Sequence, residues 1–250
     1  MVNIPRIPQE IIDEILNRLA ADSDRWSLRE CALVSKSWLP SCRRHLFRAI
    51  HFNRADVDRW LKTFPVPEES PAHHFRDLSV EVKLGELFLE EFSEHIPWFT
   101  SVESFNLMWR GGAPRSSLRL PRSVTSLTLK LGAVALLRIR DVMVQLPDLD
   151  SLSLSGSLGP MDRRLLPGIG TVLRGRFGGK LQLLKGLAHE DVMNMLLEVP
   201  TGLHFTEIRI RDARECPLSV VRLVEACGKP LVRLSYMTSC GEFRLLSRSG

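Results

Sequence analysis

The sequence lacks the cysteine pairs, glycosylation sites and long apolar runs that define several classes of protein. Its five cysteines form no C-x-x-C pair and are odd in number, so no disulfide framework is predicted. No Asn-x-Ser/Thr sequon occurs, and Glu10, Asp13 and Glu14 interrupt the region where a signal peptide needs an apolar stretch. The longest apolar run, near Ala133 to Leu137, is far too short to span a membrane. These absences predict a soluble intracellular chain, in the cytoplasm, the nucleus or both.

Signatures of catalysis and of cofactor binding are also missing. Gly168-Ile-Gly170 fails the dinucleotide fingerprint, because Leu173 stands where a third glycine is needed. Gly179-Lys180 resembles the end of a phosphate loop but lacks its leading glycine and its following hydroxyl. His189 with Glu190 and Asp191 could serve acid–base chemistry, yet the same trio is typical of a solvated helix start. With no metal-ligand spacing present, the sequence predicts no catalytic residue, no metal and no cofactor.

The positive charge of the chain is mild and dispersed. The net charge is +5, from 34 basic and 29 acidic residues, and the isoelectric point is about 9.2. The best nucleic-acid candidate is Arg43-Arg44-His45-x-x-Arg48, near Trp38 and Phe47, but such charges are more typical of the solvated face of a helix. They would also suit an acidic surface on a partner protein. Nucleic acid is therefore not a predicted partner.

The first fifty residues predict three short helices. Apolar residues recur at helical spacing after Pro8, which is tolerated in a first turn; they are Ile11, Ile12, Ile15, Leu16 and Leu19. Ser23 or Asp24 can cap a second helix, and a third is predicted from near Ser37 through Phe47, with Pro40 in its first turn. A core built from so few residues is marginal, so a partner that covers its spare apolar surface is expected.

The same stretch closely resembles the F-box, in the form common among fungal F-box proteins. The resemblance covers roughly residues 4–52, and Ile7 stands where the family usually has leucine. It is carried by the order and spacing of these residues: Ile7-Pro8-x-Glu10-Ile11, Ile15, Leu19, Leu28, Leu33-Val34-Ser35-Lys36-x-Trp38, and Leu46-Phe47-Arg48-x-Ile50.

The resemblance implies that these helices dock the Skp-type adaptor of a cullin–RING ubiquitin ligase. The adaptor contact is then expected at Ile7, Pro8, Ile11, Ile15 and Val34. The residues expected to hold the three helices together are Leu19, Leu28, Trp38 and Phe47. An apolar helix taken alone is more often part of a core than a docking surface, and only the ordered set favours docking.

Beyond residue 74 the pattern apolar-x-x-apolar-x-apolar recurs, as in Phe75/Leu78/Val80 and Leu149/Leu152/Leu154. The interval is close to the roughly 20–29 residues of a leucine-rich repeat, which supplies one strand and a return segment per unit. The return segments predict helices over residues 85–96, 134–146, 188–199 and 218–227. The asparagine ladder of the standard repeat is absent, which indicates an irregular, divergent form.

The predicted fold class is α + α/β, a three-helix F-box followed by a curved solenoid of leucine-rich-repeat-like strand and helix units. The predicted domains are an F-box over 1–52, a helical linker and hinge over 53–74, and the solenoid over 75–250.

Alternation along each predicted strand places a second set of residues on one exposed sheet face. That face runs from acidic residues, through a hydroxyl-rich centre, to basic residues. The substrate-binding residues expected there are Asn106, Thr128, Ser153, Arg209, Arg211 and Arg233. The three arginines would favour an acidic or phosphorylated protein segment, because guanidinium groups match carboxylate and phosphate oxygens. The alternative is that these residues only keep the surface soluble.

The function expected from these features is substrate recognition within a Skp–cullin–F-box ubiquitin ligase, without catalysis by the chain itself. The adaptor, and through it the cullin, would bind the helices, and a protein substrate would bind the repeats. The alternative is a non-enzymatic scaffold or interaction protein that acts independently of ubiquitin.

Overall fold

The computed structural model describes ten ranges of the 250-residue chain. These are residues 7–22, 24–83, 92–110, 119–134, 136–158, 177–184, 189–198, 203–211, 217–238 and 241–245. Most of the helix predicted over 85–96, and the Gly168-Ile-Gly170 motif, lie outside these ranges.

The described residues form seven α-helices and nine strands. The helices are α1 (Gln9–Ala21), α2 (Arg25–Val34), α3 (Leu39–Leu46), α4 (Arg54–Thr63), α5 (Leu136–Val144), α6 (His189–Leu197) and α7 (Pro217–Cys227). The strands are β1 (Ala49–Phe52), β2 (Asp77–Val82), β3 (Ser104–Trp109), β4 (Ser126–Val134), β5 (Ser151–Leu158), β6 (Phe177–Leu183), β7 (Leu203–Arg211), β8 (Arg233–Thr238) and β9 (Gly241–Leu245). Short 3-10 helices cover Pro67–Glu69, Pro71–His74 and Ile96–Trp98.

All nine strands belong to one sheet, in chain order from β1 to β9. Neighbouring strands from β1 to β8 are parallel, and β9 pairs antiparallel to β8. One row of aligned apolar residues crosses the parallel part, namely Ile50, Leu78, Phe105, Leu127, Leu152, Leu181, Ile208 and Leu234. This row belongs to a single large hydrophobic core.

The predicted fold class is wrong. The structure is one α/β arrangement built on a single sheet, and not a three-helix F-box joined to a separate solenoid. The sheet begins at Ala49, inside the residues assigned to the helical module, because β1 follows α3 almost directly and pairs with β2. Phe52 of β1 and Val57 of α4 are both buried in the sheet core. Burial of these side chains joins the N-terminal residues to the sheet.

An aromatic cluster fills the core at the first strand. The ring of Phe52 lies 5.4 Å from that of Trp60, 5.3 Å from Phe92 and 5.9 Å from Phe99, in edge-to-face orientations. Edge-to-face pairs at such distances stabilise beyond the area they bury, because the positive ring edge meets the negative ring face. The cluster fixes α4 against the sheet.

The fourth helix begins with a reciprocal capping box. The side chain of Asn53 accepts a hydrogen bond from the backbone N–H of Asp56 at 3.1 Å, and the Asp56 carboxylate accepts one from the N–H of Asn53. These bonds satisfy two N–H groups that the helix itself cannot pair.

We expect Asn53→Ala to lower the free energy of unfolding by about 1 kcal/mol, because the side-chain acceptor of the cap is lost. Urea denaturation followed by circular dichroism measures the change. Asn17→Ala, at an exposed site within α1, is the matched control and should change stability by less than about 0.5 kcal/mol. Equal losses in both variants would show that the cap contributes nothing specific.

Candidate protein-interaction sites

The three N-terminal helices, here called the helical unit, have a small core of their own. Ile12, Leu16, Leu28 and Cys42 are buried together. Partly buried residues packed against them are Leu19, Ala20, Cys31, Ala32, Trp38 and Leu46. Burial of the Cys42 thiol raises its pKa, as expected where a thiolate would be poorly solvated. The helical unit therefore holds its own shape without using every apolar residue.

Polar contacts fix the three helices to one another. The Ser41 hydroxyl of α3 donates a hydrogen bond to the Asp13 carboxylate of α1 at 2.8 Å. This bond, together with one from Gln9, lowers the pKa of Asp13, because both stabilise the charged carboxylate. The Arg25 guanidinium of α2 donates to the Leu46 carbonyl oxygen at the end of α3, at 3.0 Å. The relative positions of the helix faces are thereby set.

The residues expected to contact an adaptor lie on the outside of the helical unit. Pro8 is exposed, and the exposed fractions of the other four are 54% for Ile7, 52% for Ile11, 41% for Ile15 and 66% for Val34. These five residues are called the docking surface below. Large apolar side chains left in water at helical spacing are typical of a surface that another protein covers.

Two further apolar side chains of α2 are exposed. The exposed fraction is 81% for Leu33, which precedes Val34, and 71% for Trp26. The helical pattern predicts Trp26 on the apolar face of the second helix, but the structure leaves most of its ring in water. Periodicity alone could not identify it, because α2 packs against its neighbours through Leu28, Cys31 and Ala32.

The residues expected to hold the three helices together are distributed over two cores. Leu28 is buried in the core of the helical unit, and Leu19 and Trp38 pack against it. Phe47 packs instead against the sheet core, where its ring meets that of Phe75 at 6.0 Å. Ile12 and Leu16, which belong to the apolar spacing of the first helix, also fill the core of the helical unit, although the F-box resemblance assigned them no core role.

The second candidate site is the exposed side of the parallel strands, called the sheet face below. In β2 and β3, residues alternate strictly between buried and half-buried, as expected when one side of a sheet meets the core and the other meets solvent. One aligned row on this face contains His51, Ser79, Asn106, Thr128, Ser153, Gln182, Arg209 and Ser235.

The six predicted substrate-binding residues fall on this face. Asn106, Thr128, Ser153 and Arg209 occupy the row just described, and Arg211 lies two residues further along β7. Arg233 occupies the adjacent row, paired in register with Glu207. The side-chain oxygen of Asn106 is buried and has no hydrogen-bond partner among the described residues.

The acidic end of the predicted charge gradient is largely neutralised. The Asp77 carboxylate lies 3.6 Å from the Arg48 guanidinium, and that of Glu81 lies 3.4 Å from Arg110. The imidazole of His51 is 3.8 Å from the other oxygen of Glu81. Such exposed pairs contribute at most about 1 kcal/mol each, but they cancel the local field. The sequence pattern missed this, because Arg48 and Arg110 lie just outside the strands, one residue before β1 and one residue after β3.

At the other end of the sheet face, four cationic residues and one carboxylate lie on neighbouring strands. The exposed fraction of Glu207 is only 9%, and its carboxylate accepts a hydrogen bond from Arg209 Nε at 2.5 Å. The same oxygen lies 3.6 Å from Arg233 Nη1. Lys180 and Arg211 are exposed, and within the described ranges neither has an ion pair. The side chains of Lys180, Arg209, Arg211 and Arg233 are called the cation cluster below.

Two open clefts are lined by described residues. One, of about 310 Å³, lies between the helical unit and β1, and Arg25, His45 and Arg48 contribute to its wall. The other, of about 470 Å³, is lined by Asp148, Leu149, Asp150, Gly178 and His204. Within the described ranges, no group of three or more histidine, cysteine, aspartate or glutamate side chains could hold a metal ion.

No family model matches this chain, and no curated protein matches it. Among the described residues, no helix is both long and apolar enough to cross a bilayer. The interpretation of the two surfaces therefore rests on their own chemistry.

Proposed function

We propose that the chain is a non-catalytic substrate-recognition subunit of a Skp–cullin–F-box ubiquitin ligase, acting in the cytoplasm, the nucleus or both. The docking surface binds the Skp-type adaptor, which links the chain to a cullin. The sheet face holds the protein substrate. The proposal rests on the F-box-like residues, whose pattern implies the adaptor, and on the two surfaces described above.

One observation carries the proposal. At the positions where the F-box-like pattern implies adaptor contact, Ile7, Ile11, Ile15 and Val34 are exposed. The interleaved residues Ile12 and Leu16 are buried in the helical unit instead. Exposing four branched apolar side chains does not stabilise the helical unit in water, because each side chain forgoes the free energy of burial. A partner protein that covers these side chains recovers that free energy.

The competing function is a scaffold that uses the docking surface for another protein, independently of ubiquitin. The same exposed residues fit that function equally well in physical terms, since apolar surface does not specify its partner. What separates the two functions is the identity of the bound protein.

The first test is reconstitution from purified components. The full chain is mixed with a Skp-type adaptor, and then with the cullin, and complexes are separated by size-exclusion chromatography. We expect the chain and the adaptor to co-elute at equal stoichiometry, and the cullin to join only when the adaptor is present. A folded chain that elutes alone at micromolar concentrations would reject the ligase proposal and leave the scaffold.

A further inference from the structure

The unbalanced charge of the sheet face is concentrated on β6, β7 and β8. Arg48 and Arg110 neutralise Asp77 and Glu81 at the other end. Within β6, β7 and β8, Glu207 is the one acid, and it pairs with two members of the cation cluster, Arg209 and Arg233. At the adjoining edge, Glu242 of β9 is aligned with Met237 of β8. An anion approaching the sheet face is therefore attracted to these three strands, most strongly at low salt.

The cations lie close enough together to bind one short segment. Lys180, Glu207 and Arg233 are aligned in register across three neighbouring strands, which lie roughly 4.8 Å apart. Arg209 and Arg211 follow Glu207 along β7 at alternate positions, which places their Cα atoms roughly 7 Å apart. The four charged side chains thus arise from a patch roughly 10–15 Å across.

Glu207 organises two of the four cations. Its nearly buried carboxylate binds Arg209 through Nε and lies near one Nη of Arg233. The side chains of Arg209 and Arg233 are 39% and 67% exposed, so a ligand in solution can reach them. Fixing a guanidinium in advance reduces the entropy lost when it binds, which improves affinity without adding a contact.

We propose that the cation cluster binds an extended acidic segment of a protein substrate, with glutamate or aspartate at alternate positions, and that Glu207 positions Arg209 and Arg233 for it. The inference rests on the proposed role of the sheet face in substrate binding. Alternate side chains of an extended segment repeat every 7 Å or so, which matches the separation of Arg209 and Arg211. Each guanidinium can receive one carboxylate through paired N–H donors.

The central position of Glu207 favours carboxylates over a phosphate. A phosphate group carries about −1.5 to −2 charge at neutral pH and would approach the Glu207 carboxylate if it bound all four cations at once. Singly charged carboxylates spaced along a strand can instead reach the cations individually, so that repulsion from Glu207 is smaller. The hydroxyls of Ser151 and Ser153 on neighbouring β5 add neutral donors beside the cluster.

Peptide binding to the full chain tests the inference, measured by fluorescence anisotropy without any adaptor. The probe is a ten-residue peptide with glutamate at alternate positions, and the comparison peptide carries glutamine at those positions. We expect binding of the glutamate peptide only, weakened about tenfold or more by Arg209→Gln with Arg233→Gln. The matched control, Arg54→Gln with Arg59→Gln, removes the same charge from exposed positions of α4 and should change affinity less than twofold.

A Glu207→Gln variant distinguishes the positioning of the arginines by Glu207 from the effect of net charge on affinity. If net charge alone sets affinity, this variant binds the acidic peptide more tightly, because it removes the one anion of the cluster. If Glu207 positions the arginines, binding weakens by about threefold or more despite the added positive charge, which is the result we expect. Tighter binding overturns the positioning role.

Other outcomes overturn the inference as a whole. One is an equal loss of peptide affinity in the α4 control variant, and another is no binding of the glutamate peptide. The others are tighter binding, relative to the glutamate peptide, of a singly phosphorylated peptide or of a single-stranded RNA of similar length. Because the assay contains no adaptor, failure here leaves the reconstitution result intact. Failure of reconstitution likewise leaves peptide binding measurable.

Discussion

The double substitution Ile11→Asp with Ile15→Asp is expected to abolish adaptor capture, with an affinity loss of at least about 100-fold. Both side chains are exposed in the free chain, so the substitutions should leave the buried residues Ile12 and Leu16 in place. In the complex, each carboxylate would be moved from water into an apolar interface, at a cost of several kcal/mol unless it finds a partner. Every 1.4 kcal/mol or so of lost binding free energy weakens affinity tenfold.

Pull-down with the purified adaptor, quantified by calorimetry, measures this loss. The matched control is Arg54→Gln with Ala55→Asp, which makes the same change in net charge at exposed positions of α4. Its affinity should stay within about twofold of the unmodified chain. Circular dichroism melts of both variants check that the fold is retained. If the Ile11/Ile15 variant still captures the adaptor, the docking surface is wrongly assigned, whatever the function of the chain.

Phe52→Ala is expected to have the largest effect on stability, lowering the free energy of unfolding by about 3–5 kcal/mol. The exposed fraction of Phe52 is 1%, and its ring meets those of Trp60, Phe92 and Phe99 at 5.3–5.9 Å. Alanine removes the ring and leaves a cavity that the strand and α4 cannot easily close, since both are fixed by neighbouring contacts. Urea denaturation monitored by circular dichroism measures the change.

Trp26→Ala is the matched control, because it removes a larger aromatic side chain that is already mostly in water. We expect a change of less than about 0.5 kcal/mol. Comparison of the two variants also tests whether β1 contributes to the stability of the sheet. A small effect of Phe52→Ala would mean that the first strand and α4 contribute little to the core, against the single-sheet arrangement.

The local elements were predictable because their signals come from neighbouring residues. The spacing of Ile11, Ile15 and Leu19 predicts α1, and the repeated pattern predicts the apolar residues of β2 to β8. Asp24, one of two residues predicted to cap the second helix, accepts a hydrogen bond from the Ser27 N–H at 3.0 Å. These expectations depend on helical and strand periods, which hold whatever the chain packs against.

The fold class was not predictable in the same way. Ile50 and Phe52 alternate over only four residues, a signal too short to mark a strand, and they lie inside the F-box-like match. Their role in the sheet follows from pairing with Leu78 and Val80, almost thirty residues later in the sequence. Pairing between distant segments depends on the whole core, so no local pattern records it.

The same distinction between local sequence and tertiary structure applies to the two candidate surfaces. By itself, the sequence determined which residues of α1 are apolar and which residues alternate along each strand, because these follow from residue type and backbone period. Only the tertiary structure decided that Ile12 and Leu16 face inward, since α2 and α3 cover one part of a wide apolar stripe. It leaves Ile11 and Ile15 exposed, where the F-box resemblance implied a contact with the adaptor. It also decided which charges remain unbalanced, because ion pairs such as Arg110 with Glu81 join residues from different segments.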